Sequence, residues 1–393
     1  MAGFLIIAGL TGTLLVWYNE LDTRLNMQMM RIEPSSVTSQ PMSPFELRDV
    51  VAGKYPKAMV NWMTLQAAIP NRAVRFSLEP ITGITNDFLE FDEVFVNPYN
   101  GEILGGREWG NITQGTTNLM PFIYRLHYSL TLDSVGVWIM GIIALLWTLD
   151  CFVGAYLTLP RRRKDSVNIF IWFKRWQPTW KVRWRSNLYK LNYDLHTAAS
   201  LWLWTVLFIF ALSSVAMSLY SEVYKPVLSN VMAFQAIPLS TVPILTDINE
   251  LPDITWEDGY KSATVQAEVL AEQQGFKIER YERFSYSPEK NMLKLMFTSN
   301  RDINQRFGQS WLYVDATSGE LKGFYLPTGQ AAGDTFTSWI TTLHIAGIWG
   351  LPYRIFVTIF GLFVVILCVT GLVLWRRKQQ AREKMSLAGL HNT

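Results

Sequence analysis

The sequence predicts an α-helical membrane protein with four transmembrane helices in two repeats. Each repeat is a span, an outer α+β domain and a second span. Almost half of the 393 residues are hydrophobic. Only 17% are charged, against about 25% in soluble domains. Four apolar segments approach the roughly 20 residues that cross a bilayer. The two long segments between the spans of each repeat carry the same order of helix and strand signals, which predicts a duplication.

The four apolar segments run over 2–18, 135–159, 198–220 and 355–375. Aromatic residues such as Trp202 and Trp375 lie at their ends, as is typical of interfacial belts. The first segment offers only about 17 residues, the lower end of usable lengths. We therefore expect the natural first helix to extend upstream of Met1, the alternative being a short but complete span.

Basic segments predict the orientation in the membrane. The stretch 161–190 carries ten Lys and Arg residues and one Asp, and another basic stretch follows the fourth span. The positive-inside rule places both in the cytoplasm. We therefore expect both chain termini to be cytoplasmic and the two α+β domains to face the periplasm of a bacterial inner membrane.

This plan divides the chain into eight segments. They are transmembrane helix 1 (1–20), outer domain 1 (21–120), transmembrane helix 2 (121–160), a basic cytoplasmic loop (161–195), transmembrane helix 3 (196–220), outer domain 2 (221–335), transmembrane helix 4 with its outer lead-in (336–376) and a cytoplasmic tail (377–393).

The outer domains resemble each other. "VFVNPYNGEILGGREWG" in the first and "LYVDATSGELKGFYLPTG" in the second each predict two strands joined by a glycine-containing turn. Each domain also predicts a helix, one starting at the N-cap Ser43 and the other ending at Gly275. "RAVRFSL" and "NMLKLMF" alternate as strands do.

Two of the four histidines occupy equivalent places in the two repeats. His127 and His344 each precede an apolar segment at the outer face, whereas His196 begins the third span near the cytoplasmic face. A single imidazole there can simply form hydrogen bonds at the interface. A symmetric pair suits the two axial positions of a haem iron. Zinc would need three or four ligands, and no cysteine or clear carboxylate accompanies the pair.

Two carboxylates are candidates for supporting roles. Asp133 lies close to His127 in sequence and could orient its imidazole. Asp150 falls inside the second span, where ionisable groups are costly, and is either a proton carrier or a carboxyl paired near the inner face. Cys151 and Cys368 lie within apolar runs and predict packing residues. No nucleic-acid-binding motif is present.

Several motifs together resemble one known family. They are "GLTGTLLVWYNELD", "NPYNGEILG", "DATSGELKG", "YRLHYSL", "TLDCFVGAYLTLPRR", "FKRWQPTW", "YDLHTAASLWLW", "SSVAMSLYSEVY" and "LHIAGIWGLPYR". Across essentially the whole chain, the sequence resembles the PepSY-associated transmembrane proteins, iron-regulated membrane proteins that include siderophore reductases. The resemblance implies two periplasmic PepSY domains and one or two haem b groups. It makes His127 and His344 axial ligands and gives His196 the cytoplasmic ligand position. The chain departs from the family at its start, where a basic, His-containing stretch is usual.

The resemblance implies a function in iron uptake. We expect a haem-containing reductase that passes electrons across the membrane to a ferric siderophore or other ferric chelate. An unidentified cytoplasmic or membrane donor would supply them, and the basic loop either docks this donor or contacts anionic lipid. The alternative is a PepSY-domain binding or regulatory membrane protein without redox activity. A transporter is disfavoured because four spans with few polar residues do not form a pore.

Overall fold

A computed structural model of the protein describes residues 1–32, 40–65, 71–81, 89–160, 169–236 and 252–390. Residues 161–168 of the predicted basic loop and residues 391–393 of the predicted tail lie outside these ranges. The helices are α1 (Ala2–Leu15), α2 (Tyr18–Leu25), α3 (Met27–Met30), α4 (Pro44–Lys54), α5 (Leu119–Ser129), α6 (Asp133–Thr158), α7 (Ile169–Trp176), α8 (Leu188–Trp202), α9 (Trp204–Ser218), α10 (Lys225–Leu228), α11 (Trp256–Gln274), α12 (Ala332–His344) and α13 (Gly350–Leu390).

The strands form a single antiparallel sheet in the order β4-β3-β2-β1-β5-β6-β7-β8. They are β1 (Ala58–Thr64), β2 (Val74–Pro80), β3 (Glu93–Val96), β4 (Ile103–Arg107), β5 (Ile278–Ser287), β6 (Met292–Ser299), β7 (Ser310–Asp315) and β8 (Leu321–Tyr325). Strands β1–β4 come from the first outer segment and β5–β8 from the second. The two sets join where β1 pairs with β5, so the duplicated units share one sheet.

The local signals of the outer segments are confirmed. Ser43 accepts a hydrogen bond from Phe45 N and, with Glu46, forms a capping box at the start of α4. Gly275 adopts a left-handed conformation (φ 64°) at the end of α11. Gly101 and Gly319, both with φ of 73°, occupy the equivalent β3–β4 and β7–β8 turns.

One face of the sheet carries the outer hydrophobic core. Helices α4 and α11 pack against it. Fully buried Phe76, Phe284 and Phe297 lie on this face, and the small Ala263 and Ala267 bring α11 close to the strands. The opposite face carries Trp62, Arg75, Arg283 and other large polar and aromatic side chains. It faces the helices of the apolar spans.

The apolar segments form helices, two of which are long and apolar enough to cross a membrane, α6 and α13. Within the described residues the number rises to four if each bent pair is one span. Helix α1 bends by 71° into α2, and α8 bends by 70° into α9. The third span was predicted as one segment over 198–220, but the helix breaks at Leu203. The chain is a helical membrane protein with an eight-stranded sheet.

A buried ionic network connects the bend after α1 to the sheet. The fully buried guanidinium of Arg107 in β4 donates to Asp22 of α2 at 2.9 and 3.1 Å and to Glu93 of β3 at 2.7 Å. It also donates to the carbonyl of Thr117 at 3.0 Å. Because each carboxylate is paired inside the protein, this cluster ties the position of α2 to the edge of the sheet.

Candidate functional site

The site centres on two histidines from different repeats. His127 lies near the end of α5 and His344 is the last residue of α12. Their ring centroids are 6.3 Å apart, with an angle of 69° between the ring planes. Sequence reasoning placed them at equivalent points of two repeats, and the structure brings them together.

Backbone breaks place these histidines at helix ends. Chain reversal after α5 uses left-handed Leu130 and Thr131, and the turn after α12 uses left-handed Ala346 and Trp349. The sequence prediction had each histidine beginning a span. Instead, each belongs to a separate helix that precedes the span, because the left-handed residues end α5 and α12 before α6 and α13 begin.

A hydroxyl group from the other span of the same repeat holds each ring. Thr11 Oγ1 of α1 lies 2.9 Å from Nδ1 of His127, and Ser213 Oγ of α9 lies 2.8 Å from Nδ1 of His344. Each hydroxyl donates its single proton to a carbonyl of its own helix. The acceptors are Ile7 O at 2.7 Å and Phe210 O at 3.0 Å.

This arrangement assigns the protonation of both rings. We assign the ring proton to Nδ1, because a hydroxyl that donates to its own helix offers only lone pairs to the imidazole. The other nitrogen, Nε2, then carries the lone pair. Neutral imidazole with an exposed Nε2 lone pair and an anchored Nδ1–H is the form that binds metals.

His196 repeats the arrangement elsewhere in the molecule. Its Nδ1 lies 3.1 Å from Thr370 Oγ1, and that hydroxyl donates to Ile366 O at 2.9 Å. The structure does not bring it to the histidine pair. Thr370 lies nine residues from Gly361, which packs against α1 near Thr11. That separation is about 14 Å along α13.

Glycines next to these threonines leave room for the rings. A Cβ atom on Gly12 would lie 3.1 Å from Cε1 of His127, and one on Gly371 would lie 3.1 Å from Cε1 of His196. Such a contact is tighter than ordinary packing allows. The Thr-Gly dipeptides 11–12 and 370–371 therefore combine a hydrogen-bonding group with a space for imidazole.

A cavity of about 740 Å³ opens beside the pair, a volume typical of ligand and cofactor sites. Its inner wall is apolar and includes both histidines, Leu5, Phe210, Phe360 and Val364. The Phe210 ring packs on His344 with centroids 4.9 Å apart. The cavity continues outward to the sheet and includes the exposed Phe307, so it connects to the surroundings.

The outer part of the cavity is basic and aromatic. The guanidinium of Arg283 lies 4.3 Å from the ring centroid of Trp62, and that of Arg75 lies 4.9 Å from it. Burial, and then the neighbouring Arg75, lower the pKa of Arg283 to about 10. Burial also raises the pKa of Asp92, although Trp109 N donates to it at 2.7 Å.

Neither carboxylate candidate contacts the pair directly. Asp133 forms an ion pair with Arg125 at 2.6 Å and is largely exposed. The expectation that it orients His127 is corrected, because Thr11 holds that nitrogen. Asp150 is exposed on the surface of α6, on the side of the molecule near His196, with which it interacts electrostatically.

The sequence profile of the PepSY-associated TM region family matches residues 1–378. The chain belongs to this family. The membership covers all the helices and strands described above except the end of α13, and it agrees with the resemblance seen in the motifs. No curated protein sequence matches the chain significantly.

Sequence reasoning missed the three hydroxyl groups that hold the histidines in this family member. Thr11, Ser213 and Thr370 lie inside apolar segments, where a hydroxyl commonly bonds its own helix and attracts no notice. A usable signal was present, because "LTGT" and "VTGL" repeat a Thr-Gly pair in the first and last spans.

Proposed function

We propose that the protein is a membrane-bound, haem-containing reductase that passes electrons to ferric iron held by a siderophore or another chelator. The observation that supports it most is the His127–His344 pair, with both Nδ1 atoms within hydrogen-bond distance of a hydroxyl group and both residues lining the cavity. Within the described residues, no group of three or more His, Cys, Asp or Glu side chains could hold a bare metal ion.

The two rings lie close enough for His127 and His344 to hold one group between them. Their centroids are 6.3 Å apart. The adjoining apolar cavity provides space for a macrocycle, as expected for a haem b that His127 and His344 would hold.

The protein's own residues would tune such a group. Haem supplies one-electron chemistry when bound. Thr11 and Ser213 fix the ring orientations and increase the basicity of Nε2 by accepting from Nδ1–H. Apolar neighbours such as Leu5, Phe360 and Val364 keep water away from the pair, which favours electron transfer over side reactions.

His196 supports an electron path in the direction expected from the sequence. It offers a single anchored imidazole about 14 Å deeper along α13 than the pair. We propose that it serves as the ligand nearer the electron donor, either for a second haem b or for another redox group. The donor is an unidentified cytoplasmic or membrane component. Reduction of Fe(III) to Fe(II) at the outer side consumes one electron and weakens binding by hard oxygen ligands.

Substitution of single histidines tests the proposal. The variants His127→Ala and His344→Ala, purified in detergent, should lose the absorption of the pair-held haem and fall at least about tenfold in the rate of ferric chelate reduction. His391→Ala in the C-terminal tail provides the matched control. Unchanged colour and activity in both variants would remove the redox proposal and favour a PepSY-domain binding protein.

A further inference from the structure

The sheet side of the cavity carries positive charge that the protein does not balance. We call this region the outer chamber: Trp62, Arg75, Arg283, Arg306 and Phe307, all of which line the cavity. The apolar wall around the histidines gives way here to guanidinium groups and aromatic rings. A different ligand chemistry is therefore expected at this end.

Arg75 has an acidic partner, but it shares that partner. Its Nη1 lies 3.0 Å from Glu93 Oε1, while Arg107 Nε lies 2.7 Å from Glu93 Oε2. Asp22 completes the balance for Arg107 at 2.9 Å. These two guanidiniums and two carboxylates therefore balance one another. Asp92 is then the one further carboxylate of the cavity lining, against the two guanidiniums of Arg283 and Arg306.

Arg283 and Arg306 have no ion pair within the part of the chain that the structure describes. Arg283 rests on the Trp62 ring, with Arg75 on the same ring. Arg306 donates to Ile345 O at 3.5 Å, next to His344. Glu20 acts electrostatically on Arg306 but is already paired with Arg354 at 2.7 Å. Half-buried cations without partners attract anions strongly.

We propose that the outer chamber binds a negatively charged ferric chelate, with carboxylate or catecholate oxygens facing Arg283 and Arg306. This inference rests on the proposed function and specifies its substrate class. The carboxylates of a haem propionate share the same chemistry, so the test must separate them. A cationic chelate should be disfavoured because it would enter a chamber that already carries unpaired positive charge.

The experiment measures binding without electron transfer. Gallium(III) has the charge of ferric iron but is not reduced, so calorimetry with an anionic gallium–citrate complex reports the chamber alone. The purified holoprotein and the variants Arg283→Gln and Arg306→Gln are compared. Arg280→Gln is the matched control, because Arg280 lies on the same strand, is exposed and is paired with Glu282 at 2.5 Å. The second ligand is a gallium trihydroxamate whose chelator carries a pendant ammonium group, which makes the complex cationic.

We expect the wild-type protein to bind the anionic complex and to bind the cationic one at least about tenfold more weakly. The affinity of each chamber variant for the anionic complex should be about tenfold lower than that of the wild type. The control variant should bind as the wild type does. Equal affinity in all four proteins would overturn the assignment. It would also be overturned if Arg283→Gln and Arg306→Gln lost affinity only together with a change in the haem spectrum, because the arginines would then be partners of the haem propionates. Gallium binding with no ferric reductase activity would uphold the chamber while removing the reductase.

Discussion

The Thr11 hydroxyl decides which nitrogen of His127 is free. With its one proton assigned to Ile7 O at 2.7 Å, the hydroxyl accepts from the imidazole, which assigns the ring proton to Nδ1. The same logic applies to Ser213 with His344 and to Thr370 with His196. A polar atom inside an apolar span therefore has a role beyond local helix bonding, since it sets the tautomer of a potential ligand.

Removal of this hydroxyl should weaken the site without changing its packing. Thr11→Val keeps the shape of the side chain but leaves Nδ1–H of His127 without its acceptor. We expect haem affinity to fall about 10- to 100-fold, as for other groups that orient metal ligands. The measurement is haem-to-protein ratio during titration of the apoprotein. Thr13→Val on the same helix should bind haem as the wild type does, because the Thr13 hydroxyl donates to the carbonyls of Gly9 at 2.8 Å and Thr358 at 3.3 Å and contacts no histidine nitrogen among the described residues. Equal affinities in the two variants would contradict this role.

At the scale of single residues, the buried Arg107 also allows a prediction about stability. The variant Arg107→Met leaves Asp22 and Glu93 buried without their shared cation, which costs about 3–5 kcal/mol when one partner of a buried pair is lost. Unfolding by denaturant in detergent measures the change. The exposed pair of Arg280 and Glu282 provides a comparison, since Arg280→Met should cost less than about 1 kcal/mol. Similar losses in both variants would show that the buried network does not stabilise α2.

At the scale of elements, α1 and α13 approach each other through glycines. A Cβ on Gly9 would lie 2.8 Å from Gly361 O and 2.9 Å from a Val365 methyl carbon. Backbone contact of this kind is typical of helix pairs in membranes. On the same helix, Thr11 and Gly12 lie at the level of the His127 ring and contact it.

Gly9→Leu should separate these helices. We expect a loss of about 1–3 kcal/mol from overpacking, seen as a lower unfolding temperature in detergent together with weaker haem binding. Gly3→Leu in the same helix is the matched variant, because no atom lies within 4 Å of a Cβ placed there. An unfolding temperature for Gly9→Leu equal to that of Gly3→Leu would rule out close packing at Gly9.

Elements were the part of the fold that sequence patterns predicted best. The Ser43 capping box and the left-handed Gly275 are set by neighbouring residues, so their signals are local. The breaks at Leu130 and Leu203 were missed, because leucine itself gives no sign of a turn. The histidine pair was predicted from the duplication, whereas its hydroxyl partners depend on contacts between distant helices.

At the scale of the whole molecule, the two duplicated segments form one sheet above one helical bundle. The β1–β5 pairing joins residues more than 200 positions apart, with Met63 opposite Phe284. Such pairing depends on the tertiary arrangement and has no local signature. It creates the cavity roof, since Trp62 on β1 and Arg283 on β5 face each other across the junction.

Lys294 makes this roof sensitive to pH. Burial, and then Arg283, lower the pKa of its ammonium group to about 8, while the rings of Trp311 and Tyr313 cover it. The folded protein therefore binds fewer protons than the unfolded chain between about pH 8 and pH 10.5, so this lysine makes stability rise with pH across that window. At pH 8 the variant Lys294→Met should unfold at a higher temperature than the wild type. This difference in unfolding temperature should become smaller by pH 10. A pH-independent difference would contradict the assignment.

The most direct test of the account is the absorption spectrum of the detergent-purified protein, air-oxidised and then reduced with dithionite, together with its haem-to-protein ratio. We predict a Soret band and reduced-state bands of six-coordinate, bis-histidine haem b, with at least one haem per chain. The band of the pair-held haem should disappear in His127→Ala and His344→Ala. A protein expressed with ample haem that shows no Soret band would contradict the central claim, because the paired imidazoles would then have a structural role only.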